Sequence, residues 1–348
     1  MTTGGMRITA LLTAAFAALS CSAMLYRAGT KTILLEDTVH AREETGPAAE
    51  EAGEFELKVV KKNRAPGEDM TLVIPVPAGT GSEAVTLEDG YLYRQLTIRI
   101  DGCDARLIRE KEIESSLGEE LISARCVQSD EDGAVKLLFR LGDLLANESS
   151  LDSTGGRLVV SFFKPAERYR HVVIVDSADE VTGPELSALI DDRLEKVQDL
   201  KVYYTAFPGM AADRDVRLLL MTTSGADMFI QVGSRTGSGV NGISAWYNGQ
   251  FYIRDFGNVM MADILERNTA QTAGWTAAGL FEEEDSGSLL YRSQVASAFI
   301  CAGDTEDPED ADRLRDSAYL GRVADGIAAG IQAAAAAMDE GAGVKEEP

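Results

Sequence analysis

A run of four consecutive β-branched residues, Val172 to Val175, constrains the fold of this chain more than any other feature. An unbroken apolar run of this length is typical of a strand covered on both faces, as in a parallel sheet. Helical and strand-like segments alternate after it: helix Glu185–Val197, strand Lys201–Thr205, helix Asp213–Ser224 and strand Met228–Val232. This alternation predicts an α/β domain with a mostly parallel central sheet flanked by helices.

The preceding region, residues 55–165, has a different pattern. Apolar and charged residues alternate there, for example at Leu96, Ile98 and Ile100, and Asp-Gly pairs mark turns between such runs. We predict a small β-sandwich with one helical segment from Arg109 to Glu120. Pro75 limits its own segment to an edge strand or to a strand end, because proline cannot donate to a sheet.

Both ends of the chain differ from these two regions. Arg7 precedes an apolar run from Ile8 to Leu25, which predicts a signal-anchor helix or a cleaved signal peptide within residues 1–35. An acidic linker is expected over residues 36–54 and a disordered tail over residues 334–348. The folded regions are therefore expected outside the cytoplasm, held by a single N-terminal anchor or secreted.

Composition excludes several function classes. The formal net charge of -24 argues against binding to nucleic acid or to anionic lipid, because both need clustered lysine and arginine. No glycine-rich phosphate loop follows a strand, so the sequence does not support nucleotide binding. Cys103 and Cys126 fit either one disulfide, in an oxidising compartment, or two buried thiols.

Several segments of the second region share an order and a spacing with one known family. Lys201–Thr205, Arg217 and Ser224–Ile230 resemble that family's strand, helix and "GADLFISIHANA" strand. Gly239–Tyr247 resembles its "GVEVYY" strand, and the segment from Asp307 to Ile331 resembles its "SNPED" ending. The family is the zinc-dependent N-acetylmuramoyl-L-alanine amidases of bacterial cell walls. The resemblance covers residues 169–333, and the region before it faintly resembles the β-rich targeting domain that often precedes these amidases.

The resemblance implies a zinc site that this sequence does not keep. In the family, a His after the first strand, a Glu at the first helix and a His in the third strand hold zinc, and a Glu in the last strand is the general base. Here Asp176-Ser177-Ala178-Asp179 stands for "DPGHGG", Gly233 stands for the second His and Cys301 stands for the catalytic Glu. No zinc cofactor is therefore expected.

Two readings of the remaining polar residues stay open. Asp176, Asp179 and Glu185 could form an oxygen-rich site, which would suit calcium or magnesium better than zinc. The preferred interpretation is a loop turn and a helix start, where acidic residues are favourable without a metal. Cys301 is interpreted as a core cysteine rather than a nucleophile, because its neighbours predict a buried strand.

The resulting hypothesis is an exported, inactive amidase-like protein that binds peptidoglycan, or that regulates a cell-wall hydrolase or a division protein. Its candidate ligand-binding residues lie near the mouth of the former site: Arg235, Trp246, Tyr247 and Tyr252. One alternative is an active amidase with a rebuilt metal site, which would then need zinc. The other is a membrane-tethered structural protein that does not bind the wall.

Overall fold

The computed structural model describes residues 54–128, 133–152, 154–250, 253 and 256–343. Residue contacts divide the chain after Phe162 into two units, and each unit has its own hydrophobic core. The predicted membrane segment and all but the last residue of the acidic linker lie outside the described residues. Within the described ranges, no helix is long and apolar enough to cross a membrane.

The first unit is a β-sandwich of two five-stranded sheets. Its strands are β1 (Glu54–Glu56), β2 (Lys58–Lys61), β3 (Met70–Pro75), β4 (Val85–Gly90), β5 (Gln95–Ile100), β6 (Glu112–Ser115), β7 (Leu121–Gln128), β8 (Val135–Leu141), β9 (Ala146–Asp152) and β10 (Arg157–Phe163). One sheet has the order β1-β7-β8-β5-β4 and the other β2-β6-β3-β10-β9. Alternate residues such as Leu72 of β3 and Ile98 of β5 are fully buried between the sheets.

The prediction of a helix from Arg109 to Glu120 is wrong. The helix of this region, α1, spans Ala105–Arg109 and begins where the Asp104 carboxylate accepts a hydrogen bond from the Arg106 N–H at 2.8 Å. The following residues form β6, which pairs with β2 on one side and β3 on the other. Backbone pairing on both sides and burial of Ile113 override the helix-like local composition.

The structure also shows where Pro75 lies in its strand and whether Cys103 and Cys126 form a disulfide. Strand β3 lies inside its sheet, between β6 and β10, and Pro75 is its last residue, so the strand-end alternative is the correct one. Cys103 and Cys126 are free, buried thiols. Burial raises the pKa of Cys126 to about 12, so this thiol stays protonated at neutral pH.

The second unit is the predicted α/β domain with a six-stranded, mostly parallel sheet. Its sheet strands are β11 (His171–Ser177), β12 (Leu200–Tyr204), β15 (Met228–Arg235), β16 (Ile243–Tyr247), β17 (Ala277–Glu282) and β18 (Ala296–Asp304), and a small hairpin pairs β13 (Ala206–Phe207) with β14 (Met210–Ala211). The sheet order is β12-β11-β15-β18-β16-β17. Only the β16–β18 pair is antiparallel among the described strand pairs of this sheet.

Three helices cover one face of this sheet. The helices of the unit are α2 (Pro165–Arg168), α3 (Thr182–Leu194), α4 (Arg214–Thr223), α5 (Asn258–Ala273), α6 (Leu289–Arg292), α7 (Pro308–Leu314) and α8 (Ser317–Gly343). Side chains of α3, α5 and α8, such as Ile190, Leu265 and Ile327, pack on Val175 and Ile230 of the sheet. The opposite sheet face carries the polar and aromatic residues of the candidate site.

The tail predicted to be disordered from residue 334 is helical as far as Gly343, where α8 ends, so that prediction is wrong over this stretch. Alanine is the best helix former, and Ala334 is fully buried in the core of the unit. Packing against the core therefore keeps this segment helical, although its composition alone predicted a frayed end.

Helices α5 and α8 touch backbone to backbone at a glycine. A Cβ atom added to Gly326 would lie 2.5 Å from the Cα of Thr269 and 2.8 Å from the carbonyl oxygen of Asn268. One turn later, a Cβ on Gly330 would lie 2.9 Å from a methyl carbon of Leu265. The i, i+4 spacing places both glycines on one helix face. The close approach of the two helices therefore requires the absence of side chains there.

We expect Gly326→Ala to lower the free energy of unfolding by about 2 kcal/mol, because the added methyl group meets backbone that cannot move aside cheaply. The matched control is Gly321→Ala on the same helix, where the nearest atom to a new Cβ is 3.8 Å away. That change should raise the free energy of unfolding by up to about 1 kcal/mol through helix propensity. Chemical denaturation of both variants measures the two effects, and equal effects would contradict the close packing.

Candidate functional site

One row of side chains crosses five strands on the sheet face opposite α3, α5 and α8. Its members are register neighbours on adjacent strands: Asp176, Gln231, Phe299, Trp246 and Phe281. The row begins with polar groups on β11 and ends with aromatic rings on β16 and β17. Because β11, β15 and β18 are parallel, the loops after them meet just above this row.

Asp176 is fully buried and fully partnered. It accepts hydrogen bonds from the Thr205 hydroxyl at 2.6 Å and from the Gln231 amide at 2.8 Å. The Arg217 guanidinium of α4 donates to both of its oxygens, through Nε at 2.6 Å and through Nη2. A bidentate arginine is the strongest neutralising partner that a buried carboxylate can have. Asp176 therefore fastens α4 and β12 to the sheet, and its lone pairs are already used.

Asp179 joins the start of α3 to the end of β15. Its Oδ1 accepts the N–H groups of Val181 at 2.8 Å, Thr182 at 2.6 Å and Gly183 at 3.4 Å. Its Oδ2 accepts the N–H of Ser234 at 2.6 Å and the Ser234 hydroxyl at 3.3 Å. A carboxylate at a helix N-terminus is also favoured by the helix dipole. Asp179 is thus a helix cap with a second anchor on the sheet.

The Asp179 carboxylate occupies the space beside Gly233. A Cβ added to Gly233 would lie 2.2 Å from Asp179 Oδ2, and the backbone there has φ +155, a conformation that favours glycine. Residue 233 is the position that the resemblance assigns to a zinc-binding His. A side chain at residue 233 and this placement of Asp179 exclude one another.

Within the described residues, the three candidate oxygen ligands are not arranged to hold a metal ion. Glu185 is exposed on the first turn of α3, whereas Asp176 and Asp179 are held by the donors described above. Across the described part of the chain, no group of three His, Cys, Asp or Glu side chains is arranged to hold a metal ion. The structure therefore does not bring the three candidate oxygen ligands together.

Cys301 follows Phe299 by two residues on β18, so it lies on the same face of the sheet, and it is buried. Its thiol donates to the carbonyl oxygen of Gly303 at 3.2 Å. Burial raises the pKa of Cys301 to about 11, so the thiol is protonated at neutral pH. A nucleophilic cysteine needs the thiolate form and access to substrate, and this side chain has neither.

The predicted ligand-binding residues are only partly brought together. The Arg235 guanidinium lies 3.7 Å from the centroid of the Trp246 ring and donates to Glu283 at 2.6 Å. Tyr247 lies on the other sheet face, against the helix-side core, because successive side chains of a strand alternate. Tyr252 lies outside the described residues.

A cleft opens where Arg235 meets the end of the aromatic row, and we refer to it as the edge cleft. Its volume is about 390 Å³. It is lined by Arg235, Trp246, Phe281, Glu282, Glu283 and Glu284. Sequence reasoning missed the contribution of β17, because Phe281 and the three glutamates follow one another without a motif. The clustering of three carboxylates after an aromatic residue is the signal that was available.

A second missed residue is the buried Asp304, which organises the glycine-rich loop after β15. It accepts the N–H groups of Gly237 and Gly239 at 2.9 Å each, the Ser238 hydroxyl at 2.7 Å and the N–H of Glu306 at 2.9 Å. Burial raises the pKa of Asp304, but these hydrogen bonds outweigh it and hold the pKa at about 2. The glycine-rich stretch thus folds around a carboxylate of the chain itself.

Comparison with known proteins agrees with the order of these elements. The sequence model of the N-acetylmuramoyl-L-alanine amidase family matches residues 184–333. This part of the chain is similar to that family. No curated protein matches the chain. The amidase-family resemblance is thereby confirmed for most of the second unit, and no activity follows from the match by itself.

Solved amidase structures also match the chain. The catalytic domain of CwlV, the amidase of Bacillus (Paenibacillus) polymyxa, is 18% identical, with 47% of this chain and 97% of that one covered and a TM-score of 0.41. The amidase of Clostridium difficile 630 is 18% identical over 48% and 96% of the two chains, with a TM-score of 0.41. AmiC2 of Nostoc punctiforme is 16% identical over 48% and 97%, with a TM-score of 0.42.

A double-mutant cycle tests the exclusion between Asp179 and residue 233. We expect Asp179→Ala to lower the free energy of unfolding by about 2 kcal/mol, because it leaves backbone N–H groups without an acceptor. Gly233→Ala should also destabilise, through the clash and through backbone strain. In the Asp179→Ala background the cost of Gly233→Ala should fall by about 1 kcal/mol or more, since only the clash is relieved. Additive effects in denaturation experiments would contradict the contact.

Asp304→Asn should destabilise the protein in a pH-dependent way. A carboxyl group whose pKa is lower in the folded state stabilises the fold above its unfolded pKa, and this contribution disappears as the pH falls through the folded value. The difference in unfolding free energy between the parent and Asp304→Asn should therefore be constant above about pH 4 and shrink towards about pH 2. Asp312→Asn is the matched control, because Asp312 is an exposed carboxylate in a surface ion pair. A loss of stability that does not change with pH would contradict the assignment.

Proposed function

We propose that this chain is an exported, non-catalytic member of the amidase family that acts at the cell wall, where it binds peptidoglycan or a partner protein and thereby regulates true wall hydrolases. One observation carries the proposal. The Asp179 carboxylate fills the space beside Gly233, at the position that the sequence resemblance assigns to a zinc-binding His. A self-made internal contact has taken the place of a metal ligand.

The chemistry of amide hydrolysis supports this proposal. A hydrolytic zinc site needs protein ligands with one position left open for water, and a nearby base that takes the proton of that water. In this chain the carboxylate on β11, Asp176, is neutralised by Arg217. The residue at the position of the general base, Cys301, is a buried and protonated thiol. Neither group is suited to activate water.

What remains of the former site is a surface that suits binding. The edge cleft is bounded by an ordered Arg235–Glu283 ion pair and by aromatic rings, on rigid strands. Peptidoglycan is the ligand that the family relationship suggests, and a wall hydrolase or division protein is the corresponding protein partner. The apolar segment within residues 1–35 supports export with an N-terminal anchor. No zinc is assigned to the site.

We expect the purified protein to release no stem peptides from purified peptidoglycan, with or without added zinc. An active zinc amidase treated in the same way serves as the positive control, and the products are measured by liquid chromatography and mass spectrometry. Zinc-dependent release of stem peptides would contradict the proposal and favour the alternative of an active amidase with unconventional ligands.

Sedimentation with wall sacculi then separates the remaining roles. Co-sedimentation that is lost on substitution of Trp246 would support binding of the wall itself. A folded protein that does not bind sacculi would favour a protein partner, or the membrane-tethered structural role.

A further inference from the structure

The aromatic part of the candidate site is a continuous stack that crosses the sheet to its edge. The Arg235 guanidinium lies over the Trp246 ring at 3.7 Å and also faces Phe299, at 5.3 Å from that ring's centroid. The Trp246 and Phe281 rings are stacked with their centroids 4.9 Å apart and their planes 26° apart. Cation, indole and phenyl ring thus follow one another from β15 to β17. Such a sequence of stacked groups is stabilising at each step.

This stack ends at the edge of the described sheet. Strand β17 is the last strand of the sheet in the described part of the chain, and Phe281 is only partly buried on it. One side of the Phe281 ring meets Trp246, and the ring also lines the edge cleft. The stack can therefore be extended by one more flat or cationic group, supplied by a ligand in this cleft.

Charge decides which group fits. Arg235 is already matched by Glu283, at 2.6 Å, and the Glu283 side chain is only 10% exposed. Glu284 is exposed at the rim. Glu282 instead accepts a hydrogen bond from the Tyr247 hydroxyl at 3.4 Å, on the other face of the sheet. The cleft thus has an excess of negative charge next to an aromatic face. Carboxylate and phosphate ligands are repelled there, whereas a guanidinium or ammonium group gains both a counter-ion and a ring face.

The size of the cleft favours a side chain over a glycan. At about 390 Å³ it lies at the small end of ligand pockets, which suits a single arginine or lysine side chain with its alkyl stem. The whole chain has a net charge of -24, so it attracts basic partners at long range as well.

We infer that the edge cleft binds an arginine or lysine side chain presented by a basic peptide segment of a partner protein, with the cation on the side of the Phe281 ring turned away from Trp246 and with Glu284 as its counter-ion. The inference deepens the proposed function, because it rests on the cleft being a binding site and it names the chemistry of the partner. Arginine is favoured over lysine, because its planar guanidinium can stack on a ring and pair with a carboxylate at the same time.

Tryptophan indole signals provide the test. The chain has two tryptophans, and each indole N–H has its own acceptor: the Ser244 hydroxyl for Trp246, at 3.3 Å, and Asp310 for Trp275, at 2.9 Å. The full-length protein, labelled with ¹⁵N at tryptophan, is titrated with the amidated peptide acetyl-Gly-Arg-Gly. We expect the Trp246 indole resonance to shift in a saturable manner, while the Trp275 resonance stays in place as an internal reference. Added salt should weaken the binding.

Matched peptides and variants make the test specific. Acetyl-Gly-citrulline-Gly amide has almost the same shape as the arginine peptide without its charge, and it should not bind. Phe281→Leu and Glu284→Gln should each weaken binding by about threefold or more, through loss of the ring face and of a counter-ion respectively. Glu340→Gln, which neutralises an exposed carboxylate on α8, should leave the affinity unchanged.

Three outcomes would overturn the inference. The first is the absence of a saturable shift of the Trp246 signal. The second is binding of the citrulline peptide as tightly as the arginine peptide. The third is an affinity of the Phe281→Leu and Glu284→Gln variants equal to that of the parent protein. None of these outcomes bears on peptidoglycan hydrolysis, which is measured separately by stem-peptide release. Failure of this inference and failure of the proposed function are therefore distinguishable.

Discussion

The carboxylate of Asp179 is the contact on which the architecture of the candidate site depends. It gathers three N–H groups at the start of α3 with one oxygen, and the backbone and hydroxyl of Ser234 with the other. The carboxylate binds the positive end of a helix and the free donors of a strand end, so it holds these two elements together.

Other buried carboxylates of the second unit follow the same logic. Asp176 is neutralised by Arg217, and Asp304 and Asp310 accept backbone N–H groups of the loop between β15 and β16. An unpaired buried charge would be strongly destabilising, but each of these carboxylates is surrounded by donors. The loops at the strand ends are therefore fixed by internal acceptors and do not depend on a bound ion. These fixed loops also position Arg235, which is the last residue of β15 and lies directly beside them.

The sequence predicted the α/β unit well, because its strands are covered on both faces and its helices have regular apolar spacing. It predicted less well where pairing partners decide the structure. Glu112–Ser115 has the composition of a helix, but two neighbouring strands bind it as β6. The segment after Ala334 has the composition of a loose tail, but burial against the sheet and α5 extends α8 to Gly343. Local sequence does not contain the partner that changes these outcomes.

The sequence alone predicted the resemblance to the amidase family, the division into a β-rich and an α/β region, and the presence of Gly233 and Cys301 at positions where the resemblance implies a His and a Glu. It favoured a loop turn and a helix start for Asp176, Asp179 and Glu185 but did not exclude a metal site, because an aspartate after a strand suits both. Only the tertiary structure decided this, by bringing Ser234 and Arg217 to the carboxylates and by leaving Glu185 in solvent. It also separated Trp246 from Tyr247 and joined Trp246 to Phe281. Strand alternation and register act over distances that a linear pattern does not record.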